Sequence, residues 1–200
     1  MLVVVIHHSP GLDQVDWTTR GDAANILDNL IGTGRVKPLV VVMTNFNGFP
    51  YGCGEPAWAL DYYQDLVDNV IPYVQAHYRV SPHASERAFA GQSCGGYLSN
   101  SLLFGHTGEF GYYSVMSPSS TGPPTLSPQQ VVALKQVGIL LGGGRQDPIS
   151  ALATSELAIL RGSGVRVVPD FMNGGHGWYV WRILLRDFLT TVAFRQISRG

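Results

Sequence analysis

Short apolar runs alternate with longer segments of helical spacing along this 200-residue chain. The short runs, such as "LVVVI" and "LVVVM", are rich in β-branched residues and almost continuously apolar, which is typical of parallel strands covered on both faces. The longer segments place apolar residues three and four positions apart, as helices do along a buried side. This alternation predicts an α/β fold, a mostly parallel sheet with helices on both faces. The predicted strands are Leu2–Ile6, Leu39–Met43, Arg87–Ala90, Gly111–Val115, Gly138–Leu141 and Val165–Val168. The predicted helices are Asp22–Leu30, Ala57–Tyr78, Gly95–Phe104, Pro128–Gln136, Ile149–Leu160 and Tyr179–Phe194.

Prolines mark two irregular places in this pattern. Pro72 lies inside the second predicted helix, where the missing N–H and the ring predict a kink or a break. The segment "SPSSTGPPTLSP", residues 117–128, is a loop that follows the fourth predicted strand. Ligands of parallel sheets bind beyond the carboxyl ends of the strands, so we expect this loop to border a functional site.

Composition excludes several classes of function. Charged residues make up 14% of the chain, the formal net charge is −1, and the basic residues form no run. Neither a nucleic acid nor a membrane surface is therefore an expected partner. The apolar runs are shorter than a membrane helix, and the length suits a single domain over residues 1–200. The N-terminus has no basic region and cleavage site of a signal peptide, which leaves the compartment open and secretion plausible.

The stretch "AGQSCGGYL" contains the pattern Gly-x-Ser-x-Gly from Gly91 to Gly95. A predicted strand enters it and a predicted helix leaves it, the context of a nucleophile elbow. Such a turn needs small residues two positions before and after the serine, because the neighbouring backbones crowd it. Ser93 is the predicted nucleophile, and the alternative is a structural glycine-rich turn.

A serine nucleophile needs a general base and an acid that orients the base. In this architecture the three follow the order serine, acid, histidine. Asp147 follows the fifth predicted strand and His176 lies in a glycine-flanked loop after the sixth, so both fit. Asp147 could instead be only a helix cap before Pro148, and Asp170 is the rival acid.

An oxyanion requires two N–H donors, which we assign to the backbone of Cys94, after the nucleophile, and to the backbone of the loop "IHHSPGL" after the first strand. His7 and His8 suggest a metal site, but neighbouring residues on a strand point to opposite faces and no carboxylate cluster accompanies them. The sequence therefore predicts neither a metal nor a cofactor.

These motifs resemble those of the putative-esterase group of α/β-hydrolases, especially bacterial feruloyl esterase domains of carbohydrate esterase family 1. The resemblance runs through "IHHSPGLDQVDW", "ANILDNLIGTGRVKPLVVVM", "YYQDLVDNVIPYVQAHYRV", "RAFAGQSCGG", "GRQDP" and "GGHGWYVW". It implies an α/β-hydrolase fold, a triad of Ser93, Asp147 and His176, and oxyanion donors at Cys94 and Ser9.

The chain departs from the family pattern in three places. His7-His8 stands where the family usually has His-Gly, and Cys94 stands where Met is commoner. The family also begins with further strands, whereas this chain opens in what should be the third. An uncovered sheet edge invites pairing, so we expect a homodimer or a missing N-terminal segment.

The resemblance implies a serine carboxylesterase that acts on aryl or cinnamoyl esters of sugars. Aromatic side chains near the strand ends are candidates for stacking on such groups, namely Phe49, Tyr51, Trp58 and Trp178. A siderophore esterase and an S-formylglutathione-type thioesterase are alternatives, and so is an inactive hydrolase fold used for binding. The two cysteines, Cys53 and Cys94, are either two free thiols or a disulfide that joins the aromatic loop to the elbow.

Overall fold

The computed structural model describes residues 2–7, 11–48 and 52–196, and a six-stranded sheet forms its centre. The strand order is β2-β1-β3-β4-β5-β6, and every neighbouring pair is parallel. The predicted α/β architecture is therefore confirmed. The strands are β1 (Leu2–His7), β2 (Leu39–Met43), β3 (Arg87–Gln92), β4 (Tyr112–Met116), β5 (Gly138–Gly144) and β6 (Val168–Met172).

Helices cover both faces of this sheet. They are α1 (Asp16–Thr19), α2 (Ala23–Gly32), α3 (Pro56–Asp65), α4 (Ile71–His77), α5 (Cys94–Gly105), α6 (Pro128–Leu134), α7 (Ser150–Gly162) and α8 (Trp178–Thr191). Short 3₁₀ turns occupy Ala84–Glu86 and Thr107–Glu109. None of the described helices is long and apolar enough to cross a bilayer.

Two apolar cores lie on opposite sides of the sheet, and β3 contributes to both. Phe89 packs with residues of α3, α5 and α7, whereas Ala88 and Ala90 pack with residues of α2 and α8. Successive residues of a strand point to opposite faces, so a strand with a helix layer on each side must be apolar at every position. This explains the uninterrupted apolar runs in the sequence.

The long helix predicted over Ala57–Tyr78 is interrupted just before Pro72. It consists of α3, one π-helical turn over Leu66–Val70, and α4, in which Pro72 is the second residue. A proline cannot donate to the carbonyl four residues earlier, and its ring crowds that carbonyl. A widened π turn relieves this conflict without ending the helix.

The last strand lies further along the chain than predicted. We expected Val165–Val168, but β6 runs over Val168–Met172, because pairing with β5 begins only where Val168 lies opposite Leu140. Val165 and Val167 are buried in the core without belonging to the strand. Pro169 lies within β6, and an edge strand tolerates proline because one of its sides has no described partner strand. The sequence analysis also missed the four-residue helix α1.

The opposite edge of the described sheet is β2. Its five residues are all half-buried, and a groove runs between them and the neighbouring π turn and α4. No described strand pairs with the outer side of β2. The geometry is compatible with pairing to a second copy, and the homodimer stays a prediction.

Candidate active site

Ser93 occupies the turn between β3 and α5 in a conformation that side chains rarely adopt, with φ 57° and ψ −113°. Such a backbone costs about 1–3 kcal/mol and persists only where its surroundings hold it. Here the Ser93 N–H donates to the carbonyl of Met116 at 3.0 Å, and the Ser93 carbonyl accepts from Tyr97 at 3.0 Å and from Ser119 at 3.2 Å. Strain at the serine of a strand-to-helix turn is typical of a nucleophile elbow.

Gly91, two positions before Ser93, is needed for a steric reason. A Cβ added at Gly91 would collide with the backbone carbonyl of Gly95, because the end of β3 and the first turn of α5 cross at very short range. The first glycine of the pattern Gly-x-Ser-x-Gly is thus required by the turn itself. This contact supports the elbow over an ordinary glycine-rich turn.

The first residue of α5 is Cys94. An N–H group in the first turn of a helix has no acceptor within the helix, so the N–H of Cys94 is open to a ligand. The other predicted donor, Ser9, lies outside the described residues. Within residues 2–7, 11–48 and 52–196, no three His, Cys, Asp or Glu side chains gather as a metal site would require.

Asp147 and His176 form a hydrogen-bonded pair at the same edge of the sheet. His176 Nδ1 lies 2.8 Å from Asp147 Oδ2, and the second carboxylate oxygen accepts from the N–H of Ile149 at 2.9 Å. The Asp147 side chain is fully buried, whereas that of His176 is 30% exposed. A carboxylate can only accept, so Nδ1 carries the proton and Nε2 is left as a free acceptor.

The rival acid, Asp170, lies on β6 and makes no described hydrogen bond to His176. Burial raises the pKa of its carboxyl, and the nearby carboxylate of Asp187 raises it further. Asp170 thus faces α8 rather than the histidine loop. The geometry separates the two acids, which the sequence alone ranked without deciding.

Trp181 packs against the ring of His176. Its ring meets that of His176 edge to face at a centroid distance of 5.1 Å, and its Nε1 donates to Ser117 Oγ at 3.3 Å. Ser117 directly follows Met116, whose carbonyl accepts from Ser93. A chain of contacts thereby connects the histidine loop to the elbow through the end of β4. The sequence analysis did not foresee the roles of Trp181 and Ser117.

The loop after β4 borders the elbow as expected, and a buried carboxyl anchors it. Glu156 Oε2, on α7, accepts from Asn100 Nδ2 at 2.6 Å and from the N–H of Gly122 at 3.1 Å. Burial raises the pKa of Glu156 to about 7. An acidic residue within a predicted helix gave no signal of this role, since most such residues face water.

The four predicted substrate contacts have different outcomes. Phe49 and Tyr51 lie outside the described residues. Trp58 is fully buried, with its ring edge to face with Phe46 and stacked on Tyr97. The prediction for Trp58 does not hold in this structure, because a side chain without exposed surface offers nothing to a ligand. Trp178 is half-buried beside Trp17, at the start of α8 and two residues after His176.

The two cysteines are joined. A disulfide links Cys53 to Cys94, with their Cα atoms 5.6 Å apart, within the usual range for such bonds. The sequence left this pairing open because 41 positions separate the two residues. The bond attaches the loop between β2 and α3 to the first residue of the elbow helix.

Comparison with known proteins identifies the family. The sequence profile of the family described as "Putative esterase" matches residues 3–191, nearly the whole chain. The chain belongs to this esterase family. Relatives of this chain include an endo-1,4-beta-xylanase/feruloyl esterase from Xylanibacter ruminicola, 27% identical over 183 residues, which cover 90% of this chain and 24% of the relative. A second relative, endo-1,4-beta-xylanase Y from Acetivibrio thermocellus, is 34% identical over 82 residues, or 36% of this chain and 7% of that one. The chain thus corresponds to a quarter or less of these proteins.

Solved structures share the fold of this chain. A ferulic acid esterase superimposes with a TM-score of 0.85 at 21% identity, over 96% of this chain and 84% of that one. The feruloyl esterase module from Clostridium thermocellum, complexed with sinapinate, gives 0.79 at 20% identity, over 100% and 79% of the two chains. The enterobactin esterase from Shigella flexneri gives 0.72 at 19% identity, over 94% and 52%.

Proposed function

We propose that this protein is a serine carboxylesterase that acts through an acyl-enzyme, on aryl or cinnamoyl esters of sugars. The observation that carries the proposal is the 2.8 Å contact between His176 and the buried carboxylate of Asp147, at the edge of the sheet where the strained elbow presents Ser93. A base with a fixed tautomer and a serine in an elbow are the parts that acyl transfer needs.

In the proposed reaction, Ser93 Oγ attacks the ester carbonyl while His176 Nε2 takes its proton. Asp147 holds the imidazole by Nδ1 and stabilises the positive charge that the ring acquires. The imidazolium then gives the proton to the leaving alcohol, so the alcohol departs neutral and an acyl group remains on Ser93. Water repeats the sequence with the same base and releases the acid.

The negative oxygen of each tetrahedral intermediate requires N–H donors already in place. We assign one to Cys94, whose N–H opens the elbow helix, and the other to Ser9 as the sequence suggests. The helix start adds a partial positive charge to the first donor. Neither a metal nor a cofactor has a part in this scheme.

Support for aromatic ester substrates comes from the relatives and from one aromatic side chain. A relative that matches 90% of this chain is named an endo-1,4-beta-xylanase/feruloyl esterase, and one solved structure with the same fold is complexed with sinapinate. Trp178 offers a half-buried ring close to the histidine, suited to stacking on an aryl acyl group or a sugar. Sugar esters attached to a polysaccharide are therefore the proposed substrates.

A second ester or thioester substrate class is the alternative within the same chemistry. An S-formylglutathione hydrolase from Staphylococcus aureus and the enterobactin esterase share the fold at TM-scores of 0.74 and 0.72. A panel of methyl ferulate, methyl sinapate, S-formylglutathione and enterobactin separates these candidates by kcat/KM. The hydroxycinnamate esters should lead by at least about tenfold.

Active-site labelling tests whether the fold is catalytic or only binds. A fluorophosphonate probe should modify the wild-type protein at Ser93, located by peptide mass spectrometry, and should leave Ser93→Ala unmodified. Ser101→Ala, in the interior of α5, is the matched control that keeps full labelling. An unlabelled wild type would favour the inactive binding domain instead.

A further inference from the structure

The disulfide lies directly beside the proposed oxyanion donor. Cys94 supplies both the N–H that opens α5 and the sulfur bonded to Cys53, and its side chain is 6% exposed. Cys53 is half-buried in a short turn over Gly52–Glu55, here called the Cys53 turn. The covalent bond therefore reaches from the site to the half-exposed Cys53 turn.

Few other links hold this turn. Inside it, the N–H of Glu55 donates to the Gly52 carbonyl at 3.2 Å and the N–H of Gly52 donates to Glu55 Oε1 at 3.1 Å. Among the described residues, its bonds to other loops both come from Cys53, the disulfide and a 3.4 Å contact in which Ser119 Oγ donates to the sulfur. Within this turn, Cys53 packs against the hydrophobic core, whereas Gly54 has φ 95° and open space around it.

Ser119 places the same junction against the nucleophile. Its N–H donates to the carbonyl of Ser93 at 3.2 Å, while its hydroxyl lies 3.8 Å from the sulfur of Cys94. Three loops therefore meet at the disulfide, one after each of the strands β2, β3 and β4. Breaking the disulfide would therefore remove a link between the loops that surround Ser93.

We propose that the Cys53–Cys94 disulfide is a positioning element of the ester site, which holds the Cys53 turn as a wall for large acyl groups. This inference rests on the proposed function. Cys94 directly follows Ser93, and its Cα lies 5.6 Å from that of Cys53, so a cinnamoyl group attached to Ser93 is long enough to reach the turn, whereas an acetyl group is not. The bond therefore determines which acyl groups the enzyme accepts.

The same bond makes this selectivity responsive to redox conditions. A dithiol reductant attacks one sulfur as a thiolate, breaks the S–S bond and forms a mixed disulfide. Its second thiolate then displaces the protein sulfur, leaving two protein thiols and the oxidised cyclic reductant. The protein gains two electrons and two protons, and the reductant loses them. Cys53 is half-buried rather than enclosed, so a small dithiol has access to it.

Two esters with the same leaving group test the proposal. The kinetics of p-nitrophenyl acetate and p-nitrophenyl ferulate are measured for oxidised wild type, wild type treated with dithiothreitol, and Cys53→Ser. We expect reduction and Cys53→Ser to raise KM for the feruloyl ester about tenfold or more, and to change kcat/KM for the acetyl ester less than about threefold. Cys53→Ser has no disulfide, so dithiothreitol should not change its kinetics further.

Equal losses of kcat/KM on both esters, or no loss on either, would overturn the proposal, because the bond would then be only a structural cross-link.

A second readout is independent of catalysis. Limited proteolysis with mass spectrometry should find cleavage at the Cys53 turn in reduced protein and in Cys53→Ser, but not in oxidised wild type. If the oxidised wild type hydrolyses neither ester, the proposed function fails. If reduction leaves the proteolysis pattern unchanged, the disulfide does not hold the Cys53 turn in place, and the proposal for the disulfide fails whatever the kinetics show.

Discussion

His176 donates through Nδ1 to the fully buried carboxylate of Asp147 over 2.8 Å, which leaves Nε2 as the ring nitrogen that can accept a proton. The bond fixes the tautomer that a general base requires. It also distinguishes between two carboxylates that the sequence places only 23 positions apart, Asp147 and Asp170.

Replacing the acid should therefore disable the base while leaving the fold intact. Asp147→Asn can donate to Nδ1 and so favours the wrong tautomer, and we expect kcat to fall on the order of 10⁴-fold, as in serine proteases with the same change. Asp170→Asn is the matched control and should retain most of the activity. Steady-state kinetics on a feruloyl ester provide the comparison, and a larger loss in Asp170→Asn would reverse the assignment.

The strained backbone at Ser93 predicts an unusual order of stabilities. Ser93→Ala and Ser93→Gly should both lose several orders of magnitude in kcat. Ser93→Gly should be the more stable by about 1 kcal/mol, since only glycine adopts φ 57° and ψ −113° with ease. In the interior of α5, Ser101→Gly should instead be less stable than Ser101→Ala by a similar amount. Urea unfolding of the four variants measures both differences, and the same order at both positions would contradict a strained elbow.

The pH profile should report the base. Because only neutral imidazole accepts a proton, kcat/KM should be lower in acid than at neutral pH. A chelator should have no effect on the rate. Activity that stays constant down to about pH 4 would exclude a histidine base.

Glu156 should make folding stability depend on pH in a specific direction. Burial raises its pKa from 4.5 to about 7 in the folded protein, so the folded state holds its proton more tightly than the unfolded chain does. Ionising the buried Glu156 lowers the free energy of unfolding. This loss is absent below pH 4.5, grows as the pH rises from 4.5 toward 7, and above pH 7 reaches its full size, on the order of 3 kcal/mol.

Glu156→Gln keeps the acceptor for Asn100 and Gly122 but does not titrate. Between about pH 5 and 8, its free energy of unfolding should therefore decrease less than that of the wild type, by up to a few kcal/mol. Asp28→Asn, at an exposed site of α2, should follow the wild type. Parallel curves for wild type and Glu156→Gln in urea unfolding would show that Glu156 stays ionised throughout.

The open edge of β2 predicts self-association. Two copies that pair through this strand would extend the sheet, since its outer backbone groups have no described partner strand. Light scattering should then give twice the 21.7 kDa of one chain. A mass of 21.7 kDa across a wide concentration range would rule out the homodimer.

The sequence by itself determined the order of strands and helices, because continuous apolar runs and three-and-four spacing are local properties that survive without tertiary contacts. It also placed Ser93 in the elbow, since Gly91 is needed for a local reason: a Cβ there would collide with the backbone of Gly95 in the same turn. The order of acid and histidine along the chain followed from the strands that precede them.

Tertiary structure decided the questions that depend on which distant residues meet. Only folding showed that Asp147 rather than Asp170 reaches His176, that Cys53 reaches Cys94, and that Trp58 is buried while Trp178 is partly open. The position of β6 along the chain was likewise set by its pairing with β5, not by its own apolar residues. Residues far apart in the sequence carry no local sign of their partners, because contacts and burial are created by the packing of whole strands and helices.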